Sequence, residues 1–120
     1  MREVTVAATQ FACSWDLPRN ADKAEELIRR AAGQGANVVL IQELFGAPYF
    51  CIEERVEYFP LAQPMEGHPL IARFSDLARE LGVVLPCSYF EKAGQAHFNS
   101  VAMIDAGGKV LGNYRKTHIP

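Results

Sequence analysis

Two short apolar runs separated by an amphipathic stretch constrain the fold of this chain most strongly. Residues 4–10 are rich in β-branched and small side chains, and residues 38–41 are continuously apolar, so both segments predict strands. The stretch between them predicts a helix with Asn20 as its N-cap and glycines at 33 and 35 as its end. Its apolar positions recur at helical spacing: Ala24, Leu27, Ile28 and Ala31. A strand, a helix and a second, parallel strand form the βαβ unit of an α/β fold.

The second half of the chain predicts a further helix and three more strands. Apolar residues repeat on one face of residues 69–81, where Pro69 suits the first helical position and Gly82 the residue just past the end. Residues 83–89 predict a strand, and Pro86 within it indicates a strand edge or a bulge because proline cannot donate a hydrogen bond. Residues 98–105 and 110–115 flank a glycine-containing loop and predict an antiparallel hairpin.

The segment between these halves, residues 47–67, contains three prolines and a charged cluster and predicts an irregular excursion with one short helix. No internal repeat, low-complexity tract or linker interrupts the pattern. We therefore expect residues 1–120 to form a single domain.

Composition and charge narrow the classes of partner. The chain is 49% hydrophobic and 22% charged with a formal net charge of −2, which is typical of a globular domain with an apolar core. Scattered basic residues give no electrostatic reason to expect nucleic acid or an anionic membrane as a partner. We therefore expect a small-molecule substrate.

Targeting signals and cysteine usage bear on the compartment. The N-terminus lacks the apolar region of a secretory signal, and no run of about 18 apolar residues predicts a membrane span. The three cysteines, at 13, 51 and 87, are odd in number and widely spaced, which favours free thiols over a disulfide framework. These features predict a cytoplasmic protein.

Two charged residues follow predicted strands and are candidates for chemistry. Glu43 lies just past the run 38–41, and Lys116 lies just past 110–115. Ligands of α/β proteins bind beyond the carboxyl ends of such strands, so an acid and a base from distant segments could meet at one edge of the sheet. Taken alone, each residue has a plainer interpretation, because a glutamate after a strand is more often a cap or surface group and a lysine there is usually solvated.

Several segments, in order, resemble the nitrilase, or carbon-nitrogen hydrolase, superfamily. They are Val-Val-Leu-Ile-Gln-Glu-Leu-Phe at 38–45, Pro-Tyr-Phe-Cys at 48–51, His-Phe-Asn-Ser-Val-Ala at 97–102, Ile-Asp-Ala-Gly-Gly-Lys-Val-Leu-Gly at 104–112 and Tyr-Arg-Lys-Thr-His-Ile-Pro at 114–120. The resemblance implies the N-terminal portion of an α-β-β-α sandwich, with a mixed sheet and helices on its outer face. It also implies a homo-oligomer in the complete enzyme. The three histidines and three cysteines show no metal-ligand spacing, and no motif of the chain implies a cofactor.

The resemblance assigns roles to particular residues. The superfamily uses a Glu-Lys-Cys triad, whose first two members match Glu43 as the general base and Lys116 as the oxyanion partner. Its cysteine precedes an aromatic residue and an aspartate, a pattern that none of the three cysteines here shows, so we expect the nucleophile beyond residue 120 and the chain to be the N-terminal part of a longer enzyme. Tyr49 is a candidate substrate-binding residue, although an aromatic residue after a proline turn is as often a packing residue.

The expected activity is hydrolysis of a carbon–nitrogen bond in a carbamoyl amine. The motifs are most similar to the branch that cleaves N-carbamoylputrescine to putrescine, carbon dioxide and ammonia in polyamine biosynthesis. Other amidase branches, of the β-ureidopropionase or ω-amidase type, remain alternatives. A non-catalytic half-domain that binds a partner or substrate without turnover is the alternative from another class.

Overall fold

The computed structural model describes residues 1–120 and contains two α-helices and five strands in a mixed α/β arrangement. In chain order the elements are β1 (Val6–Ala8), α1 (Leu17–Gly33), β2 (Val38–Leu40), α2 (Pro69–Leu81), β3 (Leu85–Ala93), β4 (Ala96–Ile104) and β5 (Val110–Arg115). Strands β1 and β2 are parallel, as the βαβ pattern predicted, while β3, β4 and β5 pair antiparallel in consecutive order. A parallel bridge between Val38 and Val84 connects the two groups of strands.

Helix α1 begins about one turn earlier than predicted, and the assignment of Asn20 as its N-cap is wrong. Asp16 is the N-cap, and its Oδ1 accepts a hydrogen bond from the Arg19 N–H at 3.1 Å. Asn20 is instead buried inside the helix, where its side-chain amide donates to the carbonyl oxygens of Ser14 and Gly46. The residue is used for a tertiary contact, which sequence spacing cannot distinguish from capping.

Helix α2 has the predicted bounds and the predicted ends. Pro69 opens it and Gly82 ends it with φ of 67°, a left-handed conformation that glycine adopts without the steric cost of a Cβ. Both helices pack on the same face of the strands, and the largest apolar cluster lies between the helices and the strands. Its fully buried members include Ile28, Val39, Phe45, Phe74, Leu85 and Ile104.

The predicted hairpin is present as β4 and β5, and a second hairpin precedes it. Strand β3 is longer than the predicted strand and turns at Gly94 directly into β4. Pro86 pairs with Met103 within β3, and its missing N–H is consistent with the β2–β3 contact stopping at Val84. Residues 47–67 are irregular as predicted, with two short 3₁₀ helices, Phe50–Ile52 and Val56–Leu61, in place of one.

The opposite face of the sheet, which we call the open face, has no helix on it. Apolar side chains are exposed there, among them Val6 at 72% and Tyr114 at 64%. Crossing a bilayer takes a helix of about 20 apolar residues, and neither α1 nor α2 has both the length and the composition. One covered and one open face are what a single half of the expected sandwich would have.

Candidate active site

Glu43 lies in a tight turn that follows the carboxyl end of β2. The next residue, Leu44, has φ of 50°, a left-handed conformation that costs a residue with a side chain on the order of 1–3 kcal/mol. Two contacts hold it there: its side chain is buried, and its N–H donates to Ser88 Oγ at 2.8 Å. The backbone that carries Glu43 is therefore fixed from β3.

Lys116 is the first residue beyond β5, and it meets Glu43 from a position 73 residues later in the chain. Its backbone N–H donates to the Asn99 carbonyl oxygen at 2.9 Å, which extends the β4–β5 pairing by one residue. Its Nζ donates to Glu43 Oε1 at 2.8 Å. The structure thus brings together the acid and the cation that the sequence placed after separate strands.

Asn99, on β4, is the third member of this cluster. Its side-chain amide donates to the same Oε1 that receives Lys116. The sequence analysis did not single out this residue, although a polar pair at 99 and 100 in the middle of a strand is an available signal, because asparagine is depleted from strands. We call Glu43, Lys116 and Asn99 the rim cluster.

Electrostatics favour the ionised forms of Glu43 and Lys116 in the rim cluster. The hydrogen bond from Lys116 lowers the pKa of the Glu43 carboxyl, and its effect together with that of Asn99 exceeds the raising effect of burial. The same contact raises the pKa of the Lys116 ammonium. Both side chains remain accessible to solvent, since that of Glu43 is 43% exposed and that of Lys116 is 33% exposed.

A groove on the open face holds the rim cluster. Its volume of about 500 Å³ is within the range of small-molecule sites. Outside the rim cluster, both apolar side chains and the polar side chains of Thr9, Gln42 and Ser88 line the groove. The lining residues include Glu43, Ser88, Asn99 and Lys116 together with Leu40, Pro86, Val101 and Tyr114.

Tyr49, the candidate substrate-binding residue, is not among the residues that line the groove. It is partly buried, and burial is the main cause that raises the pKa of its phenol. The charges of Glu43 and Lys116 also act on that pKa, which places the phenol within electrostatic range of both.

None of the three cysteines has the surroundings of a reactive thiolate. All three are free, and burial raises the pKa of each thiol, that of Cys87 to about 12. A nucleophilic cysteine has the opposite property, a lowered pKa in an electropositive and accessible setting. Cys51, although the charges of Glu43 and Lys116 reach it, therefore lacks activation. No group of three or more histidine, cysteine or carboxylate side chains is arranged to hold a metal ion.

Comparison with known proteins gives concordant matches. The family model described as carbon-nitrogen hydrolase matches residues 5–120. An N-carbamoylputrescine amidase from Arabidopsis thaliana is 56% identical over 119 residues, which is 99% of this chain, and a citrullinase from Francisella tularensis is 40% identical over all of it. A crystal structure of a carbon-nitrogen hydrolase from Helicobacter pylori superposes with a TM-score of 0.88 over 98% of this chain and 40% of that one, at 32% identity.

These matches cover only part of each relative. The chain spans 40% of the length of the Arabidopsis amidase and 42% of the citrullinase. The similarity therefore concerns the fold of this chain, and it leaves more than half of each relative without a counterpart here.

Proposed function

Because the chain belongs to the carbon-nitrogen hydrolase family, we propose that the complete protein is an amidase that cleaves the ureido carbon–nitrogen bond of a carbamoyl amine. The observation that carries the proposal is the contact between Glu43 and Lys116 in a groove that can hold a small molecule. A carboxylate and an ammonium group joined at an accessible edge can supply proton transfer and charge stabilisation to the same carbonyl carbon.

The proposed reaction divides the chemistry among three groups. A cysteine located after residue 120 attacks the ureido carbonyl carbon, while Glu43 takes the thiol proton and returns it to the departing ammonia. Lys116 stabilises the negative charge that develops on the carbonyl oxygen. Water, deprotonated by Glu43, then hydrolyses the thiocarbamate, and the released carbamic acid breaks down to an amine and carbon dioxide.

N-carbamoylputrescine is the substrate that we propose first. The support is the 56–57% identity to plant N-carbamoylputrescine amidases, compared with 40% to the citrullinase. The two substrates share the ureido group and an amine, and citrulline carries an additional carboxylate. A site for N-carbamoylputrescine therefore has no need of a cation at the far end of the substrate. We keep Tyr49 as a proposed contact of the substrate.

We also propose a setting for the protein. Residues 1–120 would form the first part of one carbon-nitrogen hydrolase domain, in a cytoplasmic homo-oligomer that needs no cofactor. The three free thiols agree with a reducing compartment.

The proposal is tested by measuring ammonia release by the complete protein. N-carbamoylputrescine, citrulline, a β-ureido acid and an ω-amide would be supplied separately, and we expect the first to give the highest kcat/KM. Replacement Glu43→Gln keeps the shape of the side chain but removes the base, so kcat should fall about 10²–10⁴-fold. The exposed Glu26, which pairs with Lys23 on α1, provides the control Glu26→Gln.

The outcomes separate the alternatives. Preference for citrulline, the β-ureido acid or the ω-amide would keep the reaction class and replace the substrate. Absence of ammonia release from every substrate by a folded protein would favour the non-catalytic alternative. Near-normal turnover by Glu43→Gln would refute the role of Glu43 as the base.

A further inference from the structure

Two carboxylates lie on opposite faces of the sheet and are held by neighbouring residues of the same two strands. On the open face, Glu43 receives hydrogen bonds from Asn99 and Lys116. On the helix face, Glu91 receives hydrogen bonds from Ser100 and Arg115. Because successive side chains of a strand point to opposite faces, the pairs 99–100 and 115–116 each give one side chain to each carboxylate.

The contacts of Glu91 are more numerous than those of Glu43. Its Oε2 accepts from Ser100 Oγ at 2.6 Å, from Asn113 Nδ2 at 3.0 Å and from Arg115 Nε at 2.9 Å, and its Oε1 accepts from Arg115 Nη2 at 2.8 Å. The Glu91 side chain is only 5% exposed, and the Arg115 guanidinium lies 4.2 Å from the centre of the Phe98 ring. The Arg115 side chain is 46% exposed, and its two-point contact with the carboxylate restricts its geometry.

The end of β5 has little else to hold it. Strand β5 pairs only with β4, most of its residues are exposed, and residues 117–120 form no regular structure. Lys116 makes one backbone hydrogen bond, to Asn99. The contact between Arg115 and Glu91 is therefore the principal side-chain anchor next to Lys116.

We propose that Glu91 is a positioning residue, which holds Lys116 against Glu43 by fixing Arg115 on the other face of the sheet. Its consequence for catalysis rests on the proposed function. The positioning itself rests on the contacts that β4 and β5 make with the two carboxylates on opposite faces of the sheet. Arg115 and Asn113 are the links, since both bind Glu91 and both belong to the strand that delivers Lys116. Glu91 itself touches no reacting atom.

The test measures the position of Lys116 through the titration of Glu43 in the complete protein. The ¹³C signal of the Glu43 carboxyl would be followed against pH in the original protein, in Glu91→Gln, and in the control Glu80→Gln, which removes an exposed carboxylate paired with Arg29. Loosening Lys116 raises the pKa of Glu43, whereas direct loss of the Glu91 charge would lower it. The sign of the shift therefore separates positioning from a simple charge effect. The ionisable groups within electrostatic range of Glu43 are Lys116, Tyr49 and Cys51, and those within range of Glu91 are Arg115 and Tyr89.

Kinetics provide the second measurement. Glu91→Gln should lower kcat about 10–100-fold with little change in KM, because displacement of a catalytic group by about 1 Å costs up to 10²-fold in rate. In a Lys116→Ala background, Glu91→Gln should cause no further loss of kcat and no further shift in the pKa of Glu43. Arg115→Lys keeps a cation but loses the two-point contact, so its kcat should lie between those of the original protein and Glu91→Gln. This variant replaces Glu91→Gln in the test if Glu91→Gln folds poorly.

The proposal is overturned if Glu91→Gln leaves the Glu43 titration unchanged or shifts it downward, or if its effects add in full to those of Lys116→Ala. If no substrate is hydrolysed by the original protein, the proposed function fails, yet the titration still decides the role of Glu91. A loss of stability without a shift in Glu43 would show that Glu91 is only structural.

Discussion

At the residue scale, the two glutamates show how surroundings decide the state of a carboxylate. Arg115 is the largest influence on Glu91 and, with Ser100 and Asn113, lowers its pKa to about 2 despite burial. Glu43, half-exposed in a groove, also has a lowered pKa, with Lys116 as the first cause. The Glu91 side chain is buried and both of its oxygens accept hydrogen bonds, whereas the Glu43 side chain is accessible to a substrate.

The lowered pKa of Glu91 predicts that the stability of the fold decreases at low pH. A carboxyl whose pKa is lower in the folded than in the unfolded state stabilises the fold above its unfolded pKa, about 4.3 for glutamate. That contribution is lost as the pH falls from about 4.3 toward 2. We expect the free energy of unfolding of the complete protein to drop in this window, as measured by urea denaturation.

The comparison with Glu91→Gln isolates this contribution. The variant should be less stable at pH 6, and its free energy of unfolding should change less between pH 5 and pH 2.5 than that of the original protein. Glu26→Gln, on an exposed face of α1, should follow the original curve. If the free energy of unfolding of the original protein and of Glu91→Gln changed equally with pH, Glu91 would not be the source of the acid dependence.

At the element scale, the turn between β4 and β5 is packed against helix α2. Asp105 Oδ1 accepts from the N–H groups of Gly107 and Lys109, which closes the turn. Gly108 has φ of 82°, and a Cβ there would lie 2.4 Å from the Ser75 carbonyl oxygen of α2. The glycine is needed both for the turn and for the close approach of the helix.

Replacing this glycine should therefore destabilise the protein. Gly108→Ala combines a left-handed alanine, which costs about 1–2 kcal/mol, with a clash against backbone, so we expect a loss of more than about 2 kcal/mol in urea denaturation. The neighbouring Gly107→Ala is the matched control, because its Cβ would meet only the Asp105 side chain at 3.3 Å. Similar losses in the two variants would argue against the contact with α2 as the cause.

At the scale of the whole molecule, the open face distinguishes this chain from a domain with all its apolar surface covered. Exposed Val6, Leu40, Met103 and Tyr114 lie on it. Contiguous apolar surface of this kind mediates association or is covered by other protein in a complete assembly.

The 120-residue chain, prepared by itself, should therefore bind a hydrophobic dye and self-associate. Leu40→Lys places a charge on the open face and should reduce both effects, measured by dye fluorescence and sedimentation. The control Ile52→Lys removes an apolar residue from the irregular segment that is more exposed than Leu40, at 78% against 52%, and should change both effects less. If the 120-residue chain is a monomer that binds no dye, the open face does not mediate association.

Much of the architecture was predictable because it follows from local patterns. Helical spacing and end residues defined α2 completely, and the glycine-containing loop identified the β4–β5 hairpin. The start of α1 was misassigned because Asn20 is selected for contacts with Ser14 and Gly46 rather than for capping. A capping residue and a buried polar residue look alike in sequence.

Local sequence patterns were sufficient to predict the α/β class, the parallel β1–β2 pair, and the family motifs that include Glu43 and Lys116. The folded chain was needed to show that Asn99 and Lys116 bind the same oxygen of Glu43, and that Glu91 binds Arg115 on the helix face. Periodicity and turn residues act over a few positions, whereas these contacts join residues that are 24 to 73 positions apart in the chain. Such contacts exist only after the strands have paired in one register.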